Sequence, residues 1–379
     1  MANKIKKEKL YIGGTMLNKQ NNSENVVTQA QKSSVNPSKI IYLGLDLGTS
    51  KSAIATSSGL KLNVASIVGW PKDFIAFNLV KKHIVFGDEC SKYRTSLNVN
   101  YPLEKGVIKY RGKSSDGKSK NEKEAKAPIE LLKYLLGLVE KKDNQKIFAV
   151  VGAPARSTMD DKQAIISAAN GLVDSIMVVS EPFLVAYSLG LFGNTIIVDL
   201  GAGTLDICRM PGTIPEEADQ KTLYIAGNEI DNKFNELLKE KNPGIHVNLS
   251  LARKIKEEYA FVGDGPEKIK LDFYVDGKLT SIDVANELRE ACSIVVPEIC
   301  STVRELIVTF DPEFMSSLAR SIILAGGGSG IKGLASEIEA GLSELGSVMV
   351  TVADDPLFRG AIGGLKLAQE IPKEEWEQL

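Results

Sequence analysis

From Ile40 onward the chain alternates short apolar runs with longer stretches of helical spacing. Ile41-Tyr42-Leu43-Gly44-Leu45 is followed by alternation through Ser52-Ala53-Ile54-Ala55-Thr56 and again from Leu62 to Ile67, so an antiparallel meander opens the folded part. Helical periodicity over residues 129–136, a strand at Ile147 to Val151, a helix over about 158–171, a strand at Ile176 to Val179 and a helix over about 182–190 continue it as a β/α alternation. The second half repeats the plan. A strand at Thr195 to Val198 is followed by one at Thr222 to Ala226 and by helices near 228–241 and 249–261. Strands from Lys268 to Val275 and from Lys278 to Val284 turn at Asp276-Gly277, a long helix covers about 284–309, and a strand follows at Ile322-Ile323-Leu324. Two halves with a similar order of elements predict an α/β fold of two related lobes with a cleft between them.

In both halves a buried strand delivers a carboxylate into a Gly-rich turn: Asp46-Leu47-Gly48-Thr49-Ser50 and Asp199-Leu200-Gly201-Ala202-Gly203-Thr204. Glycine lets the backbone approach a ligand closely, and successive N–H groups in such a turn can converge on one anion. Either copy alone reads as an ordinary Asp-containing hairpin turn. Two copies in one register form a clamp that can grip a phosphate chain from both sides, with the two Asp side chains placed to hold a metal ion against it.

Composition narrows the chemistry. At 379 residues the chain exceeds the size of a single core. Its 43% hydrophobic and 25% charged residues are ordinary for a globular protein, and a net charge of -2 gives no global drive towards nucleic acid or anionic lipid. Cys90, Cys208, Cys292 and Cys300 form no CxxC pair, which predicts reduced thiols in a cytoplasmic protein. With only His83 and His246, a His-based metal site or Ser-His-Asp triad has almost no material. Neither an apolar run long enough to span a bilayer nor a signal-peptide core occurs, so no direct membrane insertion is expected. Residues 1–38, basic and then Asn/Gln/Ser-rich, read as a flexible tail, and the basic stretch at 109–126 as a solvated loop or a partner contact.

Two further features bear on the site. Gly328-Ser329-Gly330-Ile331-Lys332-Gly333 satisfies the GxGxxG dinucleotide pattern, but too little chain follows for the rest of a dinucleotide-binding sheet. The same glycines can seat the flat face of a base and its sugar. Glu181 follows the strand ending Val178-Val179-Ser180 and precedes Pro182, at a helix start, where it either balances the helix dipole or orients a water for attack on a terminal phosphate.

Taken in order, these pieces resemble the actin-like ATPase superfamily. The first phosphate hairpin (Asp46 to Ser50), first connecting segment (Val151 to Ala155), second hairpin (Asp199 to Asp206), adenosine loop (Ala325 to Leu334) and second connecting segment (Arg359 to Gly364) all occur in sequence. Within it, Val68-Gly69-Trp70-Pro71-Lys72-Asp73, Ser180-Glu181-Pro182-Phe183, Gly212-Thr213-Ile214-Pro215 and the segment from Glu370 to Trp376 look like the magnetosome-associated bacterial actins. The resemblance implies two ribonuclease H-like lobes: lobe I over 39–192 with 356–379 returning to it and a small subdomain near 70–125, and lobe II over 193–355 with a small subdomain near 212–282. It implies ATP and Mg²⁺ as cofactors, with Asp46 and Asp199 holding the metal. Backbone amides of Gly48, Thr49, Ser50, Gly201, Ala202 and Gly203 are implied to bind the phosphates, Glu181 to position the attacking water with Asp199, Thr204 and Asp206 nearby, and Lys256, Glu257, Gly326, Gly327, Gly328 and Ser329 to bind the nucleoside.

The activity implied is slow ATP hydrolysis coupled to a cytoplasmic, cytoskeletal homopolymer that aligns magnetosomes through adaptor proteins. A filament for cell shape or plasmid segregation is the nearest alternative. A metabolic phosphotransferase of the same superfamily lacks a base beside an acceptor pocket, and a peptide-binding chaperone lacks a segment after residue 379. Two positions depart from the pattern: Leu205 stands where a second Thr is usual, and Lys51 follows the first hairpin, facing either phosphate or solvent.

Overall fold

The computed structural model describes residues 39–109 and 122–376. The tail at 1–38 and most of the basic loop lie outside the described residues. Two five-stranded sheets organise the rest. The first holds β1 (Ile40–Leu47), β2 (Lys51–Thr56), β3 (Lys61–Ala65), β4 (Lys146–Ala153) and β5 (Ser175–Ser180), ordered β3-β2-β1-β4-β5. The second holds β6 (Gly193–Leu200), β7 (Leu205–Pro211), β8 (Gln220–Leu223), β9 (Ile322–Ala325) and β10 (Val350–Val352), ordered β8-β7-β6-β9-β10. In each, three strands form an antiparallel meander and two more add in parallel beside the first. The two sheets therefore share one topology, and the duplicated sequence pattern is a duplicated fold.

Strand alternation sorts the side chains into three cores. Leu43, Leu45, Leu47 and Ile54 face the first lobe's own core, while Ile196, Val198, Leu200 and Ile207 face the second lobe's. The opposite faces, Phe148, Val150 and Val179 from one sheet and Ile197, Cys208 and Met210 from the other, bury the apolar helix α1 (Glu181–Leu189) between them. A later helix, α4 (Arg359–Glu370), returns to pack on α1, β1 and β4.

That packing is backbone against backbone. A Cβ on Gly44 would stand 1.9 Å from the Ala361 carbonyl oxygen, and one on Gly363 would stand 1.8 Å from that of Leu184. Glycine is required there because any side chain would drive apart the helix pair joining the lobes.

Several elements differ from the sequence expectation. The helix expected over 284–309 is two helices, Ala285–Ser293 and Val295–Val308. Pro297 is the cause: it lacks an N–H for the Ser293 carbonyl and its ring crowds that carbonyl, so the ladder breaks one turn before it. The strand placed at 222–226 runs from Gln220 to Leu223. Just before the basic stretch, Leu103–Glu104 and Val107–Ile108 pair as a tight hairpin, with Lys105 and Gly106 both at positive φ.

Gly363→Ala should destabilise the protein by about 1–3 kcal/mol or more through overpacking. Gly137→Ala, where a Cβ meets nothing within 4 Å, should change stability by less than about 1 kcal/mol. Urea denaturation of both variants checks this, and equal midpoints would contradict the glycine-mediated contact.

Candidate nucleotide cleft

The two Gly-rich turns border one cleft of about 510 Å³, a size typical of small-molecule and cofactor sites. Each turn is fixed in the same way. Asp46 lies beside Gly152 on its parallel neighbour, and Asp199 lies beside Ala325. Both carboxylates back onto further glycines: a Cβ on Gly360 would reach within 2.7 Å of Asp46 Oδ2, and one on Gly326 within 2.3 Å of Asp199 Oδ1. The room left at Gly152 is taken by Glu181, whose Cγ would be 3.0 Å from a Cβ there.

The carbonyls of both turns are tied down. Ser66 Oγ donates to the Gly48 carbonyl at 2.6 Å and shares a 2.9 Å hydrogen bond with Ser52. Gly106 N–H donates to Thr49 Oγ1 at 2.8 Å. In the second turn, Asn228 N–H donates to the Ala202 carbonyl at 2.7 Å and Gly227 N–H to that of Gly201 at 3.1 Å, so the start of α2 (Gly227–Lys241) buttresses it. Among the described residues, the N–H groups of Gly48, Thr49, Ser50, Ala202 and Gly203 donate to no protein acceptor, whereas that of Gly201, expected to bind phosphate with them, closes its own turn on the Thr204 carbonyl at 2.9 Å. Two facing turns with unspent donors form a cradle for a polyanion.

Between the turns the electrostatics invert. Glu181 is buried and Asp46 and Asp199 are half-buried at the cleft floor. Burial, and then the charge of Asp206, push the Asp46 carboxyl up to about 6. Glu181 is pushed well above the usual carboxylate range by burial and then by Asp46, Asp206 and Asp199, and Asp199 by burial and then by Asp46 and Asp206. Glu181 Oε1 and Asn63 Oδ1, both on residues lining the cleft, are buried acceptors without a hydrogen-bond partner. Such a floor calls for a cation. No three His, Cys, Asp or Glu among the described residues are grouped as a direct metal cage.

Of the other expected site residues, Thr204, Lys256, Glu257, Gly326, Gly327 and Gly328 line the cleft. Asp206 and Ser329 stand behind its wall. The Asp206 carboxylate accepts from Ala155 N–H at 2.8 Å and from Thr222 Oγ1 at 2.5 Å, so it ties the first connecting segment to the second lobe. Burial raises its pKa more than these bonds and one from Thr204 lower it. Ser329 Oγ donates to the Gly326 carbonyl at 2.7 Å and holds the glycine loop in shape. Leu205 does not border the cleft either: it is fully buried in the second lobe's core, so the missing hydroxyl takes nothing from the cleft surface.

Sequence reasoning missed Gly106, Asn63 and the Asp231 cluster, whereas Gly360, part of the second connecting segment, does line the cleft. Asp231, almost fully buried on α2, lies 2.8 Å from Arg253 Nε and 3.0 Å from Lys256 Nζ on α3 (Leu249–Tyr259). Its signal was an acid between the apolar Ile230 and Phe234 of a helix. The signal for Gly106 was the apolar–Lys-Gly–apolar hairpin pattern.

Two lobes of identical sheet topology, joined by α1 and α4 and facing across paired phosphate-type hairpins, define an actin-like fold. The family profile described as MreB/Mbl protein matches residues 41–375, and the chain belongs to that family. It is 38% identical over 339 residues to the actin-like protein MamK of Paramagnetospirillum magneticum, an alignment covering 89% of this chain and 95% of that protein. It also matches a structure of a MamK double helical filament (TM-score 0.83, 38% identity, 88% of this chain and 100% of that one). A non-polymerising MamK mutant bound to AMPPNP matches with a TM-score of 0.65 at 37% identity, over 87% of this chain and 99% of that one.

The raised Asp46 pKa predicts a stability trade. The folded protein keeps this proton up to about pH 6, whereas the unfolded chain loses it near pH 4. The native state thus binds more protons across that window, and the group's contribution to stability falls as pH rises through it. Asp46→Asn should therefore stabilise the nucleotide-free protein by up to about 3 kcal/mol at neutral pH, with the gain shrinking towards pH 4. Denaturant melts of the two proteins at both pH values test it, and a pH-independent difference would contradict it.

Proposed function

We propose that this chain is an actin-like ATPase that binds ATP with Mg²⁺ in the interlobe cleft, polymerises into cytoplasmic filaments and hydrolyses ATP slowly. The observation that carries this reading is the pair of facing turns with free N–H groups above a buried carboxylate floor. Similarity to MamK along nearly the whole chain, including a filament structure and an AMPPNP-bound one, supports it. The same similarity supports magnetosome alignment as the filament's task, with adaptor proteins joining filament to organelle. No helix among the described residues is long and apolar enough to cross a membrane, so a peripheral link of this kind suits the chain. The lobe assignment accompanies this reading: 39–192 with 356–379 as lobe I, of which 377–379 lie outside the described residues, and 193–355 as lobe II.

Each group then has a task. The N–H groups of Gly48 to Ser50 and of Ala202 and Gly203 bind the β- and γ-phosphates. Asp46 and Asp199 hold the hydrated Mg²⁺, which supplies charge neutralisation to the phosphates. Glu181, which lines the cleft with one buried carboxylate oxygen unpaired, orients the attacking water. Asp206, bonded to Ala155 N–H and Thr222, links the phosphate side of the cleft to the lobe junction. Nucleotide in the cleft favours the closed lobes and hence a subunit interface, and phosphate loss loosens it.

Sedimentation with Mg-ATP, with ADP and without nucleotide, together with phosphate release, tests the reading: filaments should pellet in a nucleotide-dependent way. A monomer under all conditions would overturn it and turn attention to a phosphoryl acceptor. Glu181→Ala should keep ATP affinity within a few-fold while turnover falls by about 10²-fold or more, and a fully active variant would remove Glu181 from that role. Asp199→Ala should weaken the Mg²⁺ dependence of turnover, and an unchanged metal titration would remove Asp199 from the metal site.

A further inference from the structure

The first lobe contributes a cation to the cleft, Lys51, directly beside the first Gly-rich turn. Lys51 begins β2 directly after the first Gly-rich turn. Alternation along β2 puts Lys51, Ala53 and Ala55 on one face and Ser52 and Ile54 on the other. Ala53 and Ala55 pack against Ala361 of α4, and Ala53 also borders the cleft, so the Lys51 side of the strand is the cleft side. The Lys51 Nζ lies 3.7 Å from Glu257 Oε1 on α3 of the opposite lobe, and both residues line the cleft.

Lys51 is the only cation that the first lobe gives to the lining among the described residues. Across the cleft the second lobe contributes Arg253 and Lys256, both already held by the buried carboxylate of Asp231, and Lys332, beside the glycine loop. The contact with Glu257 is weak by comparison. Its partners are 44% and 46% exposed, and pairs of that kind contribute no more than about 1 kcal/mol. That is too little to lock two lobes, and little enough for a stronger anion to displace. A phosphate chain seated on the N–H groups of Gly48, Thr49 and Ser50 brings such an anion next to the residue that follows them.

We propose that Lys51 is a positioning and specificity residue of the cleft: its ammonium bridges to Glu257 across the cleft mouth without nucleotide and transfers to the phosphate chain when a nucleotide binds. The site then favours nucleoside di- and triphosphates over the bare nucleoside, and Glu257 is released to accept from the ligand's hydroxyls. The proposal rests on the nucleotide reading of the cleft. It gives that reading a source of polyphosphate selectivity besides the backbone amides, because a charged donor bonds a phosphate oxygen more strongly than a neutral one.

The test is equilibrium binding of ATP, ADP and adenosine to the full-length wild-type protein, Lys51→Met and Lys51→Arg. Lys51→Met should lose about tenfold in affinity for ATP and ADP, the size of one charge-assisted bond, while its adenosine affinity stays the same or rises. Lys51→Arg should keep most of the polyphosphate affinity. The salt dependence of ATP binding should flatten in Lys51→Met alone. Equal losses for ATP and adenosine would mark Lys51 as merely structural and overturn the proposal, as would an unchanged ATP-to-adenosine ratio in Lys51→Met. Wild-type protein that binds none of the three ligands would overturn the nucleotide reading itself, a failure distinct from that of Lys51.

Discussion

Setting Asp46, Glu181 and Asp199 together at the cleft floor, the glutamate buried and the two aspartates half-buried, is the constraint around which the rest of this structure is arranged. Carboxylates withdrawn from water and set against one another favour their protonated forms, and each pKa moves up accordingly. The fold accepts this strain because each group stands at a fixed point of the backbone: two at equivalent strand ends of duplicated sheets, the third at N1 of the helix between the lobes. Glycines at 152, 326 and 360 leave the space that the side chains occupy. Such a floor is poorly balanced by itself and well balanced by a cation with a polyanion above it. Stability and ligand binding are thus traded in the same residues.

The same arrangement couples the cleft to the relation between the lobes. The apolar helix α1 carries Glu181 at its first position, lies between both sheets and touches α4 through Gly363 without intervening side chains. Asp206, in register with Asp199 on the neighbouring strand, accepts from the backbone of the first connecting segment. On the opposite side of the cleft the Lys51–Glu257 contact spans the mouth. A ligand that changes the charge between the turns therefore acts on groups that also set the lobe spacing, the coupling that a nucleotide-dependent polymer requires.

Much of this was legible in the chain. The alternation of apolar runs, the repeated strand–acid–glycine turns and the Asp276-Gly277 hairpin are local signals, and local signals survive without tertiary context. Where the reading fell short, the deciding contact was distant in sequence. Leu205 looked like a lost phosphate hydroxyl, but its pairing with Leu200 and Leu223 turns it into the core. Asp231 was not singled out at all, because the partners that mark it, Arg253 and Lys256, come from the next helix. Asp206 and Ser329 carry chemistry-bearing groups that bond to backbone behind the cleft wall.

By itself, the sequence determined the class of fold, the duplication and the identity of the residues at the two turns, because strand period, glycine freedom and the position of an acid at a strand end are properties of short segments. Only the tertiary structure decided which of those residues share the cleft, which are spent on holding it, and that Lys51 reaches Glu257 of the opposite lobe. The physical reason is that burial and charge pairing depend on what two remote segments do to each other once the lobes close, and no local pattern encodes that distance.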